Sequence, residues 1–141
     1  MIGGIIAAEA LRLKDTPFRL HGRSEVHGLD CIGLVAQCLA KAGIRGDVPT
    51  GYSIRGGSVT QISSAFRTAG FTALAANNEP LADGDIVVAA PDLVQLHLLI
   101  RASVTPKESG FIHAHAGLGR VVFTPDPCPW PIKTIFRYQE V

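Results

Sequence analysis

The spacing of apolar residues changes from a helical to a β-strand period midway along this chain of 141 residues. In the first half, the clearest helical face consists of six residues with helical spacing: Cys31, Leu34, Val35, Cys38, Leu39 and Ala42. In the second half, residues 94–102 alternate, which is the period of a strand. Helices followed by strands predict an α+β fold, in which the helices pack on one face of an antiparallel sheet. The length fits a single domain that spans residues 1–141.

Capping and turn residues set the expected ends of the elements. Asp30 is a natural N-cap and Gly43 a natural stop for the second helix, and Ser58 with Gln61 has capping-box spacing for a third. The expected helices cover residues 3–14, 31–42 and a stretch from 58 onward. The expected strands form an antiparallel meander over residues 85–90, 94–102, 111–115, 120–124 and 133–138. Residues 103–109 are expected to connect a hairpin. The proline-rich segment 125–131 is excluded from a central strand because proline lacks the amide donor.

Charge and composition exclude several classes of protein. Thirteen basic and twelve acidic residues give a net charge of +1, so a nucleic-acid partner is not expected. No apolar run reaches the roughly 18 residues of a membrane-spanning helix, and three cysteines do not make a disulfide scaffold. Glu9 and Arg12 interrupt the first apolar run, so a signal peptide is not expected. We expect synthesis in the cytoplasm, with any later location reached through lysis or assembly into a particle.

Cys31 and the histidines of the second half are the candidate reactive residues. Cys31 falls in the first turn of its helix, where the positive end of the helix dipole favours a thiolate. His97 interrupts an apolar strand, and His113 and His115 project from one face of the next, so neighbouring strands would bring His97 beside His113. This pattern is typical of a cysteine nucleophile served by a general base, His97, and by an orienting residue, His113. The alternative is that Cys31 is an ordinary core residue of its helix.

Five short segments, taken in order, match the motifs of one known family. GLDCIGLV at 28–35 is similar to the nucleophile motif Asp-Cys-Ser-Gly-Leu-Val, and LADGDIVV at 81–88 is similar to the strand Leu-x-Pro-Gly-Asp-Leu-Val. HLLIR at 97–101 matches His-Val-Gly-Ile-Tyr, FIHA at 111–114 matches Phe-Ile-His-Ala, and DTPFR at 15–19 resembles Gly-Thr-Pro-Tyr-x. Their joint order, over roughly residues 14–124, resembles the NlpC-type cell-wall cysteine peptidases, which are papain-like.

The resemblance implies a papain-like α+β fold and a cysteine endopeptidase that hydrolyses peptide bonds in bacterial peptidoglycan. The bond implied is often the one between D-γ-glutamyl and a diamino acid. The resemblance implies three catalytic residues without a metal or a cofactor: the nucleophile Cys31, the general base His97 and the third member His113. Three further residues are expected at the substrate-binding or oxyanion side of the site: Asp30, Phe18 and His115.

Two departures from the family pattern bear on mechanism and setting. Phe18 stands where the family has a tyrosine, so the backbone N–H of Cys31 is expected to carry more of the oxyanion stabilisation. Ile32 replaces the common serine after the nucleophile, and this resembles the phage and prophage tail branch. The expected partners are therefore a peptidoglycan peptide and other tail-tip proteins. The expected location is a virion or tail that acts on the periplasmic cell wall, and a loop around 106–110 is expected to select the substrate.

Three alternatives remain open from the sequence. The chain could be a structural tail-tip component whose active site is vestigial or gated by assembly. It could use the same triad for amidase, deamidase or acyl-transfer chemistry, because surface loops set the substrate pocket. It could also bind zinc through four side chains: Cys31, His97, His113 and His115.

Overall fold

The computed structural model describes residues 1–45, 59–78 and 80–140. Within these residues the chain forms three helices: α1 (Ile2–Arg12), α2 (Cys31–Lys41) and α3 (Val59–Thr68). The same residues form eight strands: β1 (Arg23–Ser24), β2 (Gly28–Leu29), β3 (Phe71–Leu74), β4 (Ile86–Asp92), β5 (Gln95–Thr105), β6 (Glu108–His115), β7 (Arg120–Pro125) and β8 (Ile132–Tyr138). The expected capping residue Ser58 lies outside the described residues. None of the helices described is long and apolar enough to cross a membrane.

Six of the described strands form one antiparallel sheet in the order β3-β8-β4-β5-β6-β7, which confirms the predicted α+β class. Strands β4 to β7 follow the chain order of the expected meander. The last strand departs from it, because β8 crosses back to lie between β3 and β4. Ile135 and Phe136 of β8 are both fully buried and belong to the cores on opposite faces of the sheet. Because both faces of β8 are covered, its backbone N–H and C=O groups are shielded from water, and β3 and β4 supply their partners on either side.

The two faces of the sheet carry different apolar cores. Helices α1, α2 and α3 pack on one face, where Leu98 of β5 and Ile112 of β6 join the larger core. On the opposite face Leu99 and Phe111 belong to a smaller core, against which Trp130 packs from the proline-rich connection. Because side chains alternate along a strand, the odd-numbered residues of β5 and β6 lie on the face away from the helices. His97 and His113 are among them.

The hairpin between β5 and β6 is tighter than expected. Both strands continue into the segment 103–109, with Ser103 paired to Ser109 and Thr105 paired to Glu108. The turn at 106–107 lies nine residues along the strand from His97, which is roughly 30 Å of extended chain. This corrects the expectation of a substrate-selective loop around 106–110, because the turn lies at the far end of the strand from the histidines.

Candidate active site

Helix α2 begins at Cys31 because Asp30 holds its first turn. The Asp30 backbone is extended, and its carboxylate accepts a hydrogen bond from the Gly33 N–H at 2.8 Å. The same carboxylate accepts from the Arg23 guanidinium at 2.8 Å and from the His21 backbone N–H at 2.9 Å. Asp30 is only 5% exposed, and a buried carboxylate is costly unless it is paired and hydrogen-bonded. These three donors meet that requirement. Asp30 ties the residues before the helix to the helix itself and thereby fixes the position of Cys31.

Gly33 allows the preceding loop to pack directly on the first turn of α2. A Cβ atom at this position would lie 2.0 Å from the carbonyl oxygen of Gly22, which is closer than any side chain tolerates. The contact is with backbone, so the obstruction could not rotate away. The glycine is therefore required by a close approach of chain to chain next to the reactive residue.

The sheet splits where Cys31 meets it. The ladder between β5 and β6 ends at the pair Ile100–Ile112. Both strands nevertheless continue on their outer sides, since β4 pairs with β5 past His97 to Gln95 and β6 pairs with β7 as far as His115. Beyond the last pair, the ladder between β5 and β6 does not continue, and the backbone N–H of Leu98 lies close enough to the sulfur of Cys31 to act on the pKa of its thiol. The first turn of α2 therefore meets the sheet at this split.

His97 and His113 face each other across the same split. The Nε2 atom of His97 lies 2.9 Å from Nδ1 of His113, and the two ring planes are nearly perpendicular. The far nitrogen of His113, Nε2, lies 2.8 Å from the hydroxyl oxygen of Thr124 on β7. His113 is 1% exposed. The ring of His113 is therefore held at both nitrogens, whereas His97 keeps its Nδ1 atom outside this chain of hydrogen bonds.

Trp130 closes the histidine pair from the outer side. Its ring lies 5.3 Å from the His97 ring and 5.5 Å from the His113 ring, edge to face with both. Trp130 belongs to the proline-rich connection, which thus covers the outer face of the sheet. Aromatic contacts of this kind contribute about 1 kcal/mol beyond the area that they bury.

Burial determines the charge of the reactive groups. It raises the pKa of the Cys31 thiol to about 12, although the N–H groups of Leu98, Ile32 and Cys31 act in the opposite direction. It lowers the pKa of His97 to about 3, with smaller contributions from the neighbouring His113 and His115. It also lowers the pKa of His113 to about 4. The resting pair is therefore a neutral thiol and a neutral imidazole. This differs from the thiolate expected from the helix dipole, because burial outweighs the dipole at this position.

Cys31 approaches β5 at the backbone of Leu98, the residue next to His97. Among the described residues no hydrogen bond joins the thiol to the imidazole. Cys31 itself is 4% exposed. Catalytic hydrogen bonds are often long in unliganded enzymes and tighten only around the substrate.

Phe18 and His115 each form a hydrogen bond with the turn between β6 and β7. The Phe18 N–H donates to the Gly119 carbonyl at 2.9 Å, and its side chain packs against the larger core. His115 Nδ1 accepts from the Leu118 N–H at 3.0 Å, and its ring lies 5.8 Å from that of His113. Both residues thus lie beside the turn between β6 and β7.

The described residues do not assemble the alternative zinc site. Within them, no group of three or more His, Cys, Asp or Glu side chains is arranged to hold a metal ion. His97 and His113 direct ring nitrogens at each other, so these nitrogens are used in a mutual hydrogen bond.

A cavity of about 650 Å³ lies on the outer face, beyond Trp130. Its lining includes apolar side chains and one ion pair: Leu81, Phe111, Trp130, Ile132, and Arg101 with Asp126. Because Trp130 contacts the histidine pair and also lines the cavity, the two features share a wall.

The fold of this protein is similar to that of a domain whose structure has been solved. The chain is similar to the crystal structure of the NlpC/p60 domain of the peptidoglycan hydrolase SagA, with a TM-score of 0.58 and 19% sequence identity. The match covers 96% of this chain and 97% of that one. No family model matches the sequence, and no curated protein matches it either. The protein therefore has the α+β fold of an NlpC/p60 domain.

Three residues of the site are not singled out by the sequence: Arg23, Thr124 and Trp130. From the sequence, Arg23 is expected to be a surface charge. The structure shows that it forms an ion pair with Asp30. Thr124 carries a weak signal, since it is the last residue of an expected strand. Trp130 is the single tryptophan of the chain, yet its surroundings of proline place it in a connection.

Proposed function

We propose that this protein is a cysteine peptidase that hydrolyses peptide bonds of bacterial peptidoglycan. Cys31 is the nucleophile, His97 the general base and His113 the residue that orients the base. The observation that carries the proposal is the His97–His113 hydrogen bond of 2.9 Å at the split where the sulfur of Cys31 meets the sheet. The NlpC/p60 fold supports it, because the similar domain belongs to a protein described as a peptidoglycan hydrolase.

The chemistry follows from the neutral resting pair. As the sulfur of Cys31 attacks the scissile carbonyl, its proton passes to Nδ1 of His97, the nitrogen that His113 does not engage. The carbonyl carbon forms a bond to sulfur, the bond to the leaving amine breaks, and His97 returns the proton to that amine. Water then hydrolyses the thioester with His97 again as the base. The hydrogen bond to His113 stabilises the imidazolium of His97 in both steps.

The start of α2 supplies donors for the oxyanion. The first N–H groups of a helix have no partner within it, and the N–H groups of Cys31 and Ile32 point toward the sulfur. A carbonyl under attack at the sulfur lies next to the same groups. Asp30 positions this turn rather than the substrate, because its carboxylate is engaged by protein donors. Phe18 and His115 form the border over which the substrate enters.

The proposed substrate is a stem peptide cut between D-γ-glutamyl and a diamino acid. The outer cavity beyond Trp130 offers room for the part of the peptide that extends past the cleavage point. The proposed setting is a phage or prophage tail, where the domain would act on the periplasmic wall beside other tail-tip proteins. The same fold in a structural tail component would retain the architecture and lack the hydrolysis, so activity decides between them.

Digestion of purified peptidoglycan tests the proposal. Wild type and the variants Cys31→Ala and Cys38→Ala are incubated with the polymer, and the released fragments are read by mass spectrometry. Cys38 is the matched control, because it is a fully buried thiol of the same helix on the core side. We expect new amino termini with wild type and Cys38→Ala and none with Cys31→Ala.

The fragments distinguish the remaining alternatives. A free amine on the diamino acid identifies the proposed bond. Release of ammonia indicates amidase or deamidase chemistry, and transfer to an added amine indicates acyl-transfer chemistry. Fragments from Cys31→Ala would remove this residue from the mechanism. No fragments from any variant would support the structural role.

A further inference from the structure

Thr124 lies where it can determine which nitrogen of His113 carries the proton. His113 pairs with Val122 across the β6–β7 ladder, and Thr124 pairs with Phe111, so Thr124 is the diagonal neighbour of His113 on the same face. Such neighbours lie within reach of long side chains. The Thr124 hydroxyl is 2.8 Å from His113 Nε2, and the other nitrogen of His113 is occupied by His97.

Two proton arrangements satisfy this chain of hydrogen bonds, and only one is productive. In the first, His97 Nε2–H donates to His113 Nδ1, and His113 Nε2–H donates to the threonine hydroxyl. His97 then has an unprotonated Nδ1, the atom that acts as the base in the proposed function. In the second, every donor is reversed and His97 carries its proton on Nδ1, where it cannot accept the proton of the thiol. A neutral imidazole carries one ring N–H, so the nitrogen that is protonated in His113 determines which nitrogen is protonated in His97.

We infer that Thr124 is a positioning residue that accepts a hydrogen bond from Nε2–H of His113 and thereby holds His97 in the tautomer that can act as the base. This inference rests on the proposed function for its catalytic consequence. The arrangement matters most after proton transfer, because the His97 imidazolium must donate from Nε2. His113 is then obliged to donate from its own Nε2, and Thr124 supplies the acceptor.

Removal of the hydroxyl changes the balance between the two arrangements. His113 is 1% exposed, so its Nε2–H would be left without an acceptor and shielded from water. An orphaned buried N–H is costly and is rarer in native proteins than an under-satisfied acceptor. Thr124→Val keeps the shape of the side chain and removes the hydroxyl, so His113 is expected to shift its proton to Nδ1. Thr124→Ser restores the hydroxyl.

Nitrogen NMR of the imidazoles tests the inference directly. The full chain labelled with ¹⁵N reports which nitrogen of His113 is protonated, with His113→Gln used for assignment. We expect protonation at Nε2 in wild type and Thr124→Ser, and a shift to Nδ1 in Thr124→Val. In peptidoglycan digestion we expect kcat to fall by about tenfold or more in Thr124→Val, with KM little changed. Thr72→Val is the matched control, because Thr72 is an exposed threonine on β3 at the opposite edge of the sheet.

The outcomes separate this inference from the proposed function. Protonation at Nδ1 of His113 in wild type overturns it, even if Thr124→Val does not fold. An unchanged His113 tautomer in folded Thr124→Val overturns it as well. If wild type proves inactive on peptidoglycan, the proposed function fails, whereas the NMR spectra still decide how Thr124 acts on the histidine pair.

Discussion

Asp30→Asn is expected to weaken the start of α2 without changing the shape of the side chain. The Asp30 carboxylate has two oxygens and three donors, with Gly33 and Arg23 on Oδ1 and the His21 N–H on Oδ2. Asparagine keeps one oxygen for the helix cap. Its amide nitrogen then faces the His21 N–H, donor against donor, and the charge opposite Arg23 disappears.

The expected loss of stability has two parts. An unsatisfied buried N–H costs about 1.5 kcal/mol, and a charge-assisted hydrogen bond contributes a similar amount. Arg23 is 29% exposed, so water offsets only part of the loss of its partner. The free energy of unfolding is therefore expected to fall by about 3 kcal/mol, which corresponds to a decrease in Tm of roughly 10 °C for a domain of this size.

Thermal and urea unfolding followed by circular dichroism measure this change. Asp92→Asn is the matched control, because Asp92 accepts one hydrogen bond from the Val94 N–H in an exposed turn and forms no ion pair with any residue that the structure describes. We expect less than about 0.5 kcal/mol from the control. A Tm for Asp30→Asn within about 2 °C of wild type would refute the assignment of Asp30 as the residue that holds the helix start. A double-mutant cycle with Arg23→Met isolates the ion pair.

Three further predictions follow from the site. Burial lowers the pKa of His97 to about 3 from 6.5, so the unfolded chain binds more protons below pH 6.5, and Tm should fall as the pH is lowered from 6.5 toward 4. His97→Gln should flatten that pH dependence, and an equal slope in both proteins would contradict it. Gly33→Ala should destabilise the protein by about 1–3 kcal/mol in urea unfolding, since the new methyl meets the Gly22 carbonyl, and wild-type stability would show that the loop can move aside. Trp130→Leu should lower kcat in peptidoglycan digestion by loosening the histidine pair, whereas a change in KM alone would place Trp130 in substrate binding only.

Local patterns in the sequence were sufficient to predict α2 and the strands that carry the histidines. The helical spacing from Cys31 to Ala42 and the capping residue Asp30 depend on neighbours within one or two turns. The alternation that places His113 and His115 on one face of a strand is equally local. The resemblance in five short segments predicted the NlpC-type fold, because the order of such segments reflects the order of elements in the chain.

Tertiary structure alone decided how these elements form the site. The position of β8 between β3 and β4 depends on residues that are distant in sequence, and so does the end of the β5–β6 ladder at Ile100–Ile112. The same holds for the contact of Thr124 with His113 and for the cover that Trp130 provides. The neutral charge state of Cys31 also required the fold, since a helix N-terminus favours the thiolate and only the surrounding packing shows that burial prevails. Periodicity is a property of neighbouring residues, whereas strand register and burial arise from contacts between distant parts of the chain.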